Sequence, residues 1–265
     1  MTPSSSHTSI TGEIAIEFDH ASFRVNGREL LKELVLSVKH GETLVLLGRS
    51  GSGKTTSLKL INCLLLPTSG EVRVNGRQTL DWDPIALRRS IGYVIQDGGL
   101  FPHFTVERNI ALVPRIENWP KERVSARVRE LLDTVGLKAE LLSRYPSQLS
   151  GGQRQRVGVA RALAADPPIL LLDEAFGALD PITRSEMQKE FRSLQQRMRK
   201  AVIFVTHDLR EALLLGDRIA LMEDGHLVVD LPVAEFVRSD DALVRAYMEA
   251  FSGPGEERVA DSAQH

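Results

Sequence analysis

Residues 48–55 carry the residue types and spacing of a loop that binds phosphate groups. They read GRSGSGKT, follow a short apolar run and precede a predicted helix, which is the context that the pattern GxxxxGK[ST] requires. Glycines let such a loop curl so that its N–H groups face phosphate oxygens. Lys54 can reach the β- and γ-phosphates of a nucleotide, and the Thr55 hydroxyl can hold Mg²⁺. The predicted phosphate-binding residues are Gly48, Arg49, Ser50, Gly51, Ser52, Gly53, Lys54, Thr55 and Thr56.

Two acidic residues follow a second apolar run. The sequence ILLLDE places Asp173 and Glu174 directly after four apolar residues, as expected at the end of a buried strand. Asp173 is predicted to bind Mg²⁺, and Glu174 is predicted to act as general base on an attacking water. Together with the phosphate loop, this pair predicts hydrolysis of a nucleoside triphosphate.

Strand-like runs alternate with helical patterns along most of the chain. A helix is predicted from Lys54 to about Leu66, and helical periodicity dominates residues 105–165. Asn75-Gly76 predicts a hairpin turn. The alternation is typical of an α/β protein with a largely parallel sheet covered on both faces. The predicted strands of this fold are 14–18, 34–38, 43–48, 92–96, 168–174, 201–207 and 217–223.

The composition is that of a globular protein. The 265 residues include 33 basic residues, 35 acidic residues and a single cysteine. This charge balance provides no general attraction to nucleic acid, and one cysteine excludes an internal disulfide. No apolar run approaches the ~20 residues of a membrane helix, and the polar residues 1–13 differ from a signal peptide. We therefore expect a cytoplasmic protein, without a nucleic-acid partner, that reaches a membrane only through other proteins.

The sequence LSGGQRQ at residues 149–155 lies between the phosphate loop and the acidic pair. With this motif the chain resembles the nucleotide-binding subunits of ABC transporters over about residues 14–235. The resemblance implies ATP and Mg²⁺ as cofactors. It assigns catalytic roles to Lys54, Glu174, His207 and Gln96, with Gln96 ending the predicted strand GYVIQ and also lying near Mg²⁺. Further nucleotide contacts implied by the resemblance are Ser150, Gly151, Gly152, Gln153 and Asp180.

The resemblance also implies the architecture and the partners. The fold would be the ABC ATPase type of P-loop NTPase, with a RecA-like core, an antiparallel β subdomain and an inserted helical subdomain at about residues 100–165. The ATPase domain would span residues 14–251, between flexible segments 1–13 and 252–265. A second copy would pack head to tail, so that the signature of one copy covers the γ-phosphate held by the other. Permease subunits would hold the chain at the cytoplasmic face of the inner membrane, together with a separate substrate-binding protein.

Two positions depart from the family pattern. An aromatic residue of the first strands usually stacks on adenine, and here the best alignment places Val25 there, with Phe23 two residues earlier. The residue after Glu174 is often proline in related importers, but this chain has Ala175. The adenine contact is therefore left open between Phe23 and Val25.

Residues 88–120 and 144–184 are similar to ATPases of importers for glycine betaine, carnitine or choline. VIQDGGLFPH, NIALVPR and FGALDPITR carry this similarity. In the family the helical insert and the loop after Gln96 face the permease. Phe101, His103 and Phe104 of that loop are therefore predicted either to contact a permease helix or to pack within their loop. Many of these ATPases carry paired CBS domains. The residues after Phe251 are too few for them, so ionic-strength sensing through such domains is not expected.

Two alternative functions remain open at this point. The chain could serve a transporter for another solute, such as an amino acid, a sulfonate or a lipid, because those systems share the same motifs. A non-transport ABC ATPase of DNA repair or translation is disfavoured, because the sequence has neither a long coiled-coil insertion nor a second cassette. Arg154, Arg156 and Arg161 are interpreted as a solvated or interface face, since no aromatic residues alternate with them.

Overall fold

The computed structural model describes residues 13–252, which form two β-sheets with helices packed around the larger one. The predicted flexible ends, 1–13 and 252–265, lie outside the described residues except for residues 13 and 252. The strands are β1 (Ile14–Val25), β2 (Arg28–Lys39), β3 (Thr43–Leu47), β4 (Ser69–Val74), β5 (Arg77–Gln78), β6 (Ile91–Val94), β7 (Ile169–Asp173), β8 (Ala201–Thr206), β9 (Arg218–Glu223) and β10 (His226–Pro232). The α-helices are α1 (Lys54–Ile61), α2 (Pro84–Arg89), α3 (Val106–Ile110), α4 (Leu112–Ile116), α5 (Lys121–Thr134), α6 (Gly151–Leu163), α7 (Pro181–Met198), α8 (Leu209–Leu215), α9 (Val233–Phe236) and α10 (Ala242–Ser252).

The larger sheet has six strands in the order β10-β9-β3-β8-β7-β6. All neighbouring pairs are parallel except β10 with β9. The sheet therefore has the largely parallel form that the sequence predicts. Because β3, β7 and β8 run in the same direction, their carboxyl ends meet at one edge, with Leu47 beside Thr206 and Asp173 beside Val205. The loops that follow these three strands are thereby brought together.

The smaller sheet is antiparallel, with strand order β2-β1-β4-β5. Both of its hairpins turn on an Asn-Gly pair, at Asn26-Gly27 and at Asn75-Gly76, and all four residues have positive φ angles between 49° and 74°. Asparagine and glycine tolerate this left-handed backbone, which matches the twist of the paired strands. The hairpin predicted at Asn75-Gly76 is confirmed.

Side chains of the central strand alternate between two hydrophobic cores. Val45 and Leu47 enter the core shared with α3, α5, α6 and α7, whereas Leu44 and Leu46 enter the core shared with α1 and the antiparallel sheet. All four side chains are fully buried. Burial of each such side chain stabilises the fold by roughly 1.5–3 kcal/mol, so β3 is rigidly anchored and the loop after it starts from a fixed point.

Several predicted boundaries are wrong. The first two strands run over Ile14–Val25 and Arg28–Lys39 instead of 14–18 and 34–38. Helix α1 ends at Ile61 instead of near Leu66, because Cys63 turns into the left-handed region (φ 53°) and the next two amides donate back to the Lys59 carbonyl. Strand β6 ends at Val94, so Gln96 does not end a strand. It begins a 3₁₀ turn, Gln96–Gly99. Between β6 and β7 the described chain contains α3 to α6 and no strand. No helix within residues 13–252 combines the length and apolar character needed to cross a bilayer.

Candidate nucleotide site

The loop between β3 and α1 follows a path that only glycine permits at two positions. A Cβ atom at Gly48 would lie 2.3 Å from the Met222 carbonyl oxygen, so no larger residue fits there. Gly53 caps the start of α1 at a φ of 103°, a conformation that other residues rarely adopt. The loop therefore curls tightly around the amino end of α1, where backbone N–H groups are free to bind an anion.

Lys54 lies inside this loop and not in solvent. Its side chain is buried, and Nζ donates hydrogen bonds to the carbonyl oxygens of Gly48 and Arg49 at 2.7 and 2.8 Å. Burial lowers the pKa of Lys54, while the nearby carboxylates of Glu174 and Asp173 oppose that shift. The ammonium group thus holds the loop closed at the position where the sequence predicts phosphate oxygens.

Asp173 joins the phosphate loop to the end of β7. Thr55 Oγ1 donates to Asp173 Oδ1 at 2.9 Å, and the Tyr93 hydroxyl donates to Asp173 Oδ2 at 3.2 Å. Burial raises the pKa of Asp173, and these two hydrogen bonds oppose that shift without cancelling it. Both carboxylate oxygens therefore have a fixed orientation. The sequence analysis missed Tyr93, because a tyrosine within an apolar strand is usually a core residue.

Hydroxyl and carboxylate oxygens at this point fit the preference of Mg²⁺ for hard oxygen ligands. Across the described residues, no three His, Cys, Asp or Glu side chains form a metal-binding group. Mg²⁺ bound with a nucleotide usually has few protein ligands, so Thr55, Asp173 and the predicted ligand Gln96 would hold it together with phosphate oxygens and water.

Glu174 and His207 face each other at the ends of β7 and β8. Glu174 has a positive φ of 47°, its N–H donates to the Val205 carbonyl, and its own carbonyl accepts from Gly177. This unusual backbone turns the carboxylate toward His207, whose Nδ1 lies 3.4 Å from Glu174 Oε2. The His207 side chain is 62% exposed, so it is free to approach a ligand.

A cavity of about 490 Å³ lies beside these residues. One wall comes from Arg49 and Ser50 of the phosphate loop together with Glu174 and His207, and the other comes from α10. Burial raises the pKa of Tyr247 on α10, and nearby Arg49 opposes the shift. The sequence analysis missed α10, because nothing in its pattern indicates that it folds back beside the phosphate loop.

The signature motif starts α6, with Ser150 exposed, Gly151 and Gln153 half-buried and Gly152 buried. Ser150 Oγ accepts from the Gln153 N–H at 3.2 Å, and Gln153 Oε1 accepts from the Ser150 N–H at 3.0 Å. This reciprocal pair is a capping box that fixes the helix start. Gly152 packs against Thr183, where a Cβ atom would lie 2.6 Å from the threonine methyl. Ser150, Gly151, Gly152 and Gln153 are not among the described residues that line the cavity.

The other predicted nucleotide residues also lie apart from that cavity. The Asp180 carboxylate caps α7 by accepting from the Thr183 N–H at 3.1 Å, and hydrogen bonding to Thr183 lowers its pKa. Gln96 is exposed at the start of its 3₁₀ turn. Near the first hairpin, Val25 is 41% exposed, whereas Phe23 is partly buried against the core shared with α1.

A family profile described as ABC transporter matches residues 31–177, more than half of the chain. The matched segment contains the phosphate loop, the signature and the Asp173-Glu174 pair. The chain belongs to the ABC transporter family, and the resemblance based on LSGGQ is confirmed.

Particular relatives are ATP-binding proteins named for osmoprotectant transport. The glycine betaine/carnitine/choline transport ATP-binding protein OpuCA of Bacillus subtilis is 47% identical over 236 residues, covering 89% of this chain and 61% of the relative. The osmoprotectant import ATP-binding protein OsmV of Salmonella typhimurium is 55% identical over 194 residues, covering 73% of this chain and 51% of the relative. The glycine betaine uptake system ATP-binding protein YehX of Escherichia coli is 46% identical, covering 88% of this chain and 76% of the relative. The chain thus spans about three fifths of the OpuCA sequence.

Solved structures of ATP-binding cassettes have the same fold. The cassette MJ0796, in a dimeric post-hydrolysis state with ADP and Pi, matches with a TM-score of 0.74 and 34% identity over 82% of this chain and 98% of that one. The cbiO1 protein of Clostridium perfringens matches with a TM-score of 0.79 and 26% identity over 90% and 96% of the two chains. The predicted α/β fold of the ABC ATPase type is confirmed.

Proposed function

We propose that this chain is the ATP-binding and ATP-hydrolysing subunit of an importer for quaternary-amine osmoprotectants such as glycine betaine, carnitine or choline. The observation that carries the proposal is the hydrogen bond from Thr55 to Asp173, which joins residues 118 positions apart. It brings the phosphate loop and the acidic pair into one site, as hydrolysis of a nucleoside triphosphate requires.

Lys54 and the loop amides bind the phosphates of ATP in this proposal. The Lys54 ammonium now donates to two uncharged carbonyl oxygens, and phosphate oxygens are stronger acceptors because they carry negative charge. Thr55 and Asp173 would hold Mg²⁺, with Gln96 as a further ligand from its turn. The ion, when bound, neutralises charge that develops on the phosphate oxygens.

Glu174 acts as general base and His207 contacts the γ-phosphate. The positive φ at Glu174 holds its carboxylate close to the imidazole, and both groups line the cavity beside the phosphate loop. Glu174 would accept a proton from the attacking water, and the exposed His207 would donate a hydrogen bond to a phosphate oxygen. Such a base contributes about 10²–10⁴-fold to the rate of turnover.

A second copy of the chain supplies the signature in trans. Ser150 is exposed at the start of α6, Gly151 and Gln153 are half-buried and Gly152 is buried. None of the four is among the described residues that line the cavity of their own chain, so this helix start is available to a nucleotide held by a partner. Asp180 would lie at the same head-to-tail contact. Val25, exposed at the first hairpin, is the better adenine contact, since Phe23 already packs against the core.

The transported solute and the remaining partners follow from similarity to the named relatives. Three of these relatives are named for glycine betaine or osmoprotectant transport and are 46–55% identical to this chain. We infer membrane permease subunits, a separate substrate-binding protein, and a location at the cytoplasmic face of the cell membrane.

Uptake of labelled glycine betaine after osmotic upshift tests the proposal. The assay compares cells whose only copy of this gene encodes wild type or Lys54→Ala, in a strain without another glycine betaine importer. We expect uptake to be lost in the variant, because Lys54 is central to phosphate binding. Unchanged uptake would remove the solute assignment, and ATP hydrolysis by the purified chain would then show whether the ATPase assignment stands.

A sulfate/thiosulfate import ATP-binding protein of Bradyrhizobium diazoefficiens is 46% identical over 234 residues, so sulfate uptake is the comparison assay.

A further inference from the structure

Helix α6 and the turn Gln96–Gly99 touch through their backbones. A Cβ atom at Gly158 would lie 3.0 Å from Gly98 Cα, and one at Gly98 would lie 2.9 Å from the Arg154 carbonyl oxygen. Neither position accepts a side chain without moving its neighbour. The turn that begins with Gln96 is therefore packed directly on the helix that begins with the signature.

Arg161 reinforces this contact with two hydrogen bonds. Its two terminal nitrogens donate to the carbonyl oxygens of Gly99 and Gly98 at 2.8 and 2.9 Å, and its guanidinium lies 5.9 Å from the Phe101 ring. Burial lowers the pKa of Arg161, although an arginine in a protein keeps its charge. Hydrogen bonds from a charged donor are short and about twice as strong as neutral ones.

The other two arginines of this helix make different contacts. Arg154 donates to the Leu149 carbonyl at the start of its own helix, and Arg156 donates to the Val135 carbonyl and pairs with Glu190 of α7. All three arginines are half-buried and bonded within the chain. Of the three, Arg161 is the one whose hydrogen bonds run to the Gln96 turn.

Arg161 also lines a groove where the sheet edge meets the helical segment. The groove has a volume of about 260 Å³, and Tyr93, Gly99, Phe101 and Leu112 lie along it. One residue thus touches the groove, the Gln96 turn and the signature helix. A displacement of the turn would be transmitted to α6, because charged hydrogen bonds and backbone contact resist separation of the two segments.

We propose that Arg161 is a positioning residue that joins the Gln96 turn to the signature helix. Through this link, Gln96 approaches the nucleotide of its own chain at the same time as Ser150 approaches the nucleotide held by a partner chain. The inference rests on the proposed ATPase function. Arg161 touches neither nucleotide nor metal in this scheme. Its loss should therefore reduce turnover more than ATP binding.

The test compares kcat and KM for ATP in the purified full chain with Mg²⁺, using wild type, Arg161→Ala, Arg161→Lys and Arg156→Ala. Arg156 is the matched control, since it lies on the same helix and also donates to a backbone carbonyl. We expect kcat to fall about tenfold in Arg161→Ala with KM within twofold, partial recovery of kcat in Arg161→Lys, and kcat within twofold of wild type in Arg156→Ala. Thermal unfolding of each variant shows whether the fold is retained.

Gly158→Ala provides a second variant that leaves Arg161 in place. Its added methyl group would push the turn away from α6, so kcat should fall again while KM for ATP stays within twofold. The proposal is overturned if Arg161→Ala and Gly158→Ala keep wild-type kcat, or if Arg156→Ala loses as much kcat as Arg161→Ala. An inactive wild type would overturn the ATPase function and this inference together, whereas an active wild type with unchanged variants would overturn the inference alone.

Discussion

Replacing Tyr93 with phenylalanine should raise the Mg²⁺ concentration that ATP hydrolysis requires, without disturbing the fold. The substitution removes only the hydroxyl that donates to Asp173 Oδ2 at 3.2 Å and leaves the partly buried ring in place. A hydrogen bond to a charged group contributes about 1.5–3 kcal/mol, and the length of this bond favours the lower value. About 1.4 kcal/mol corresponds to a tenfold change in an equilibrium constant, so the half-saturating Mg²⁺ concentration should rise about tenfold.

The assay measures the hydrolysis rate against free Mg²⁺ at saturating ATP, with thermal unfolding of the same samples. Tyr145→Phe is the control, because Tyr145 is 46% exposed. Its contact with Gln148 is made by the backbone N–H of Tyr145, so loss of the hydroxyl leaves that contact intact. Half-saturation within twofold of wild type in a folded Tyr93→Phe variant would refute the view that this hydroxyl orients Asp173. So would an equal shift in Tyr145→Phe.

Three further outcomes are expected. Glu174→Gln should bind ATP but turn over at least 100-fold more slowly, with an ATP-dependent doubling of mass on size exclusion; wild-type turnover would reject its role as base. Phe204→Ala should reduce the free energy of unfolding by about 3–5 kcal/mol in urea titrations, since its buried ring packs 5.5 Å from that of Phe176; a loss below about 1 kcal/mol would contradict this packing. Burial raises the pKa of Glu211, so the charged form of this side chain destabilises the fold. The free energy of unfolding of Glu211→Gln, minus that of wild type, should therefore increase from pH 5 to pH 7. A constant difference would contradict the raised pKa.

The phosphate loop, the acidic pair and the parallel sheet could all be predicted from the sequence, because each depends on local patterns. Glycine spacing, a short apolar run and a following helix require no knowledge of distant residues. The Asn-Gly hairpin at residues 75–76 was predicted for the same reason. The helix boundary at Ile61 was not, since Cys63 adopts a left-handed conformation that its residue type does not favour.

Contacts between distant segments were decided only by the tertiary structure. Tyr93 meets Asp173 across 80 positions, and Arg161 reaches Gly98 across 63, and neither contact has a signature in local sequence. These partners meet because parallel strands bring their carboxyl ends to one edge and because two glycines let α6 approach the Gln96 turn. Residue types and spacing therefore predict the chemistry of the site, whereas the side chains that orient it are identified only by the packing that brings them within hydrogen-bond distance.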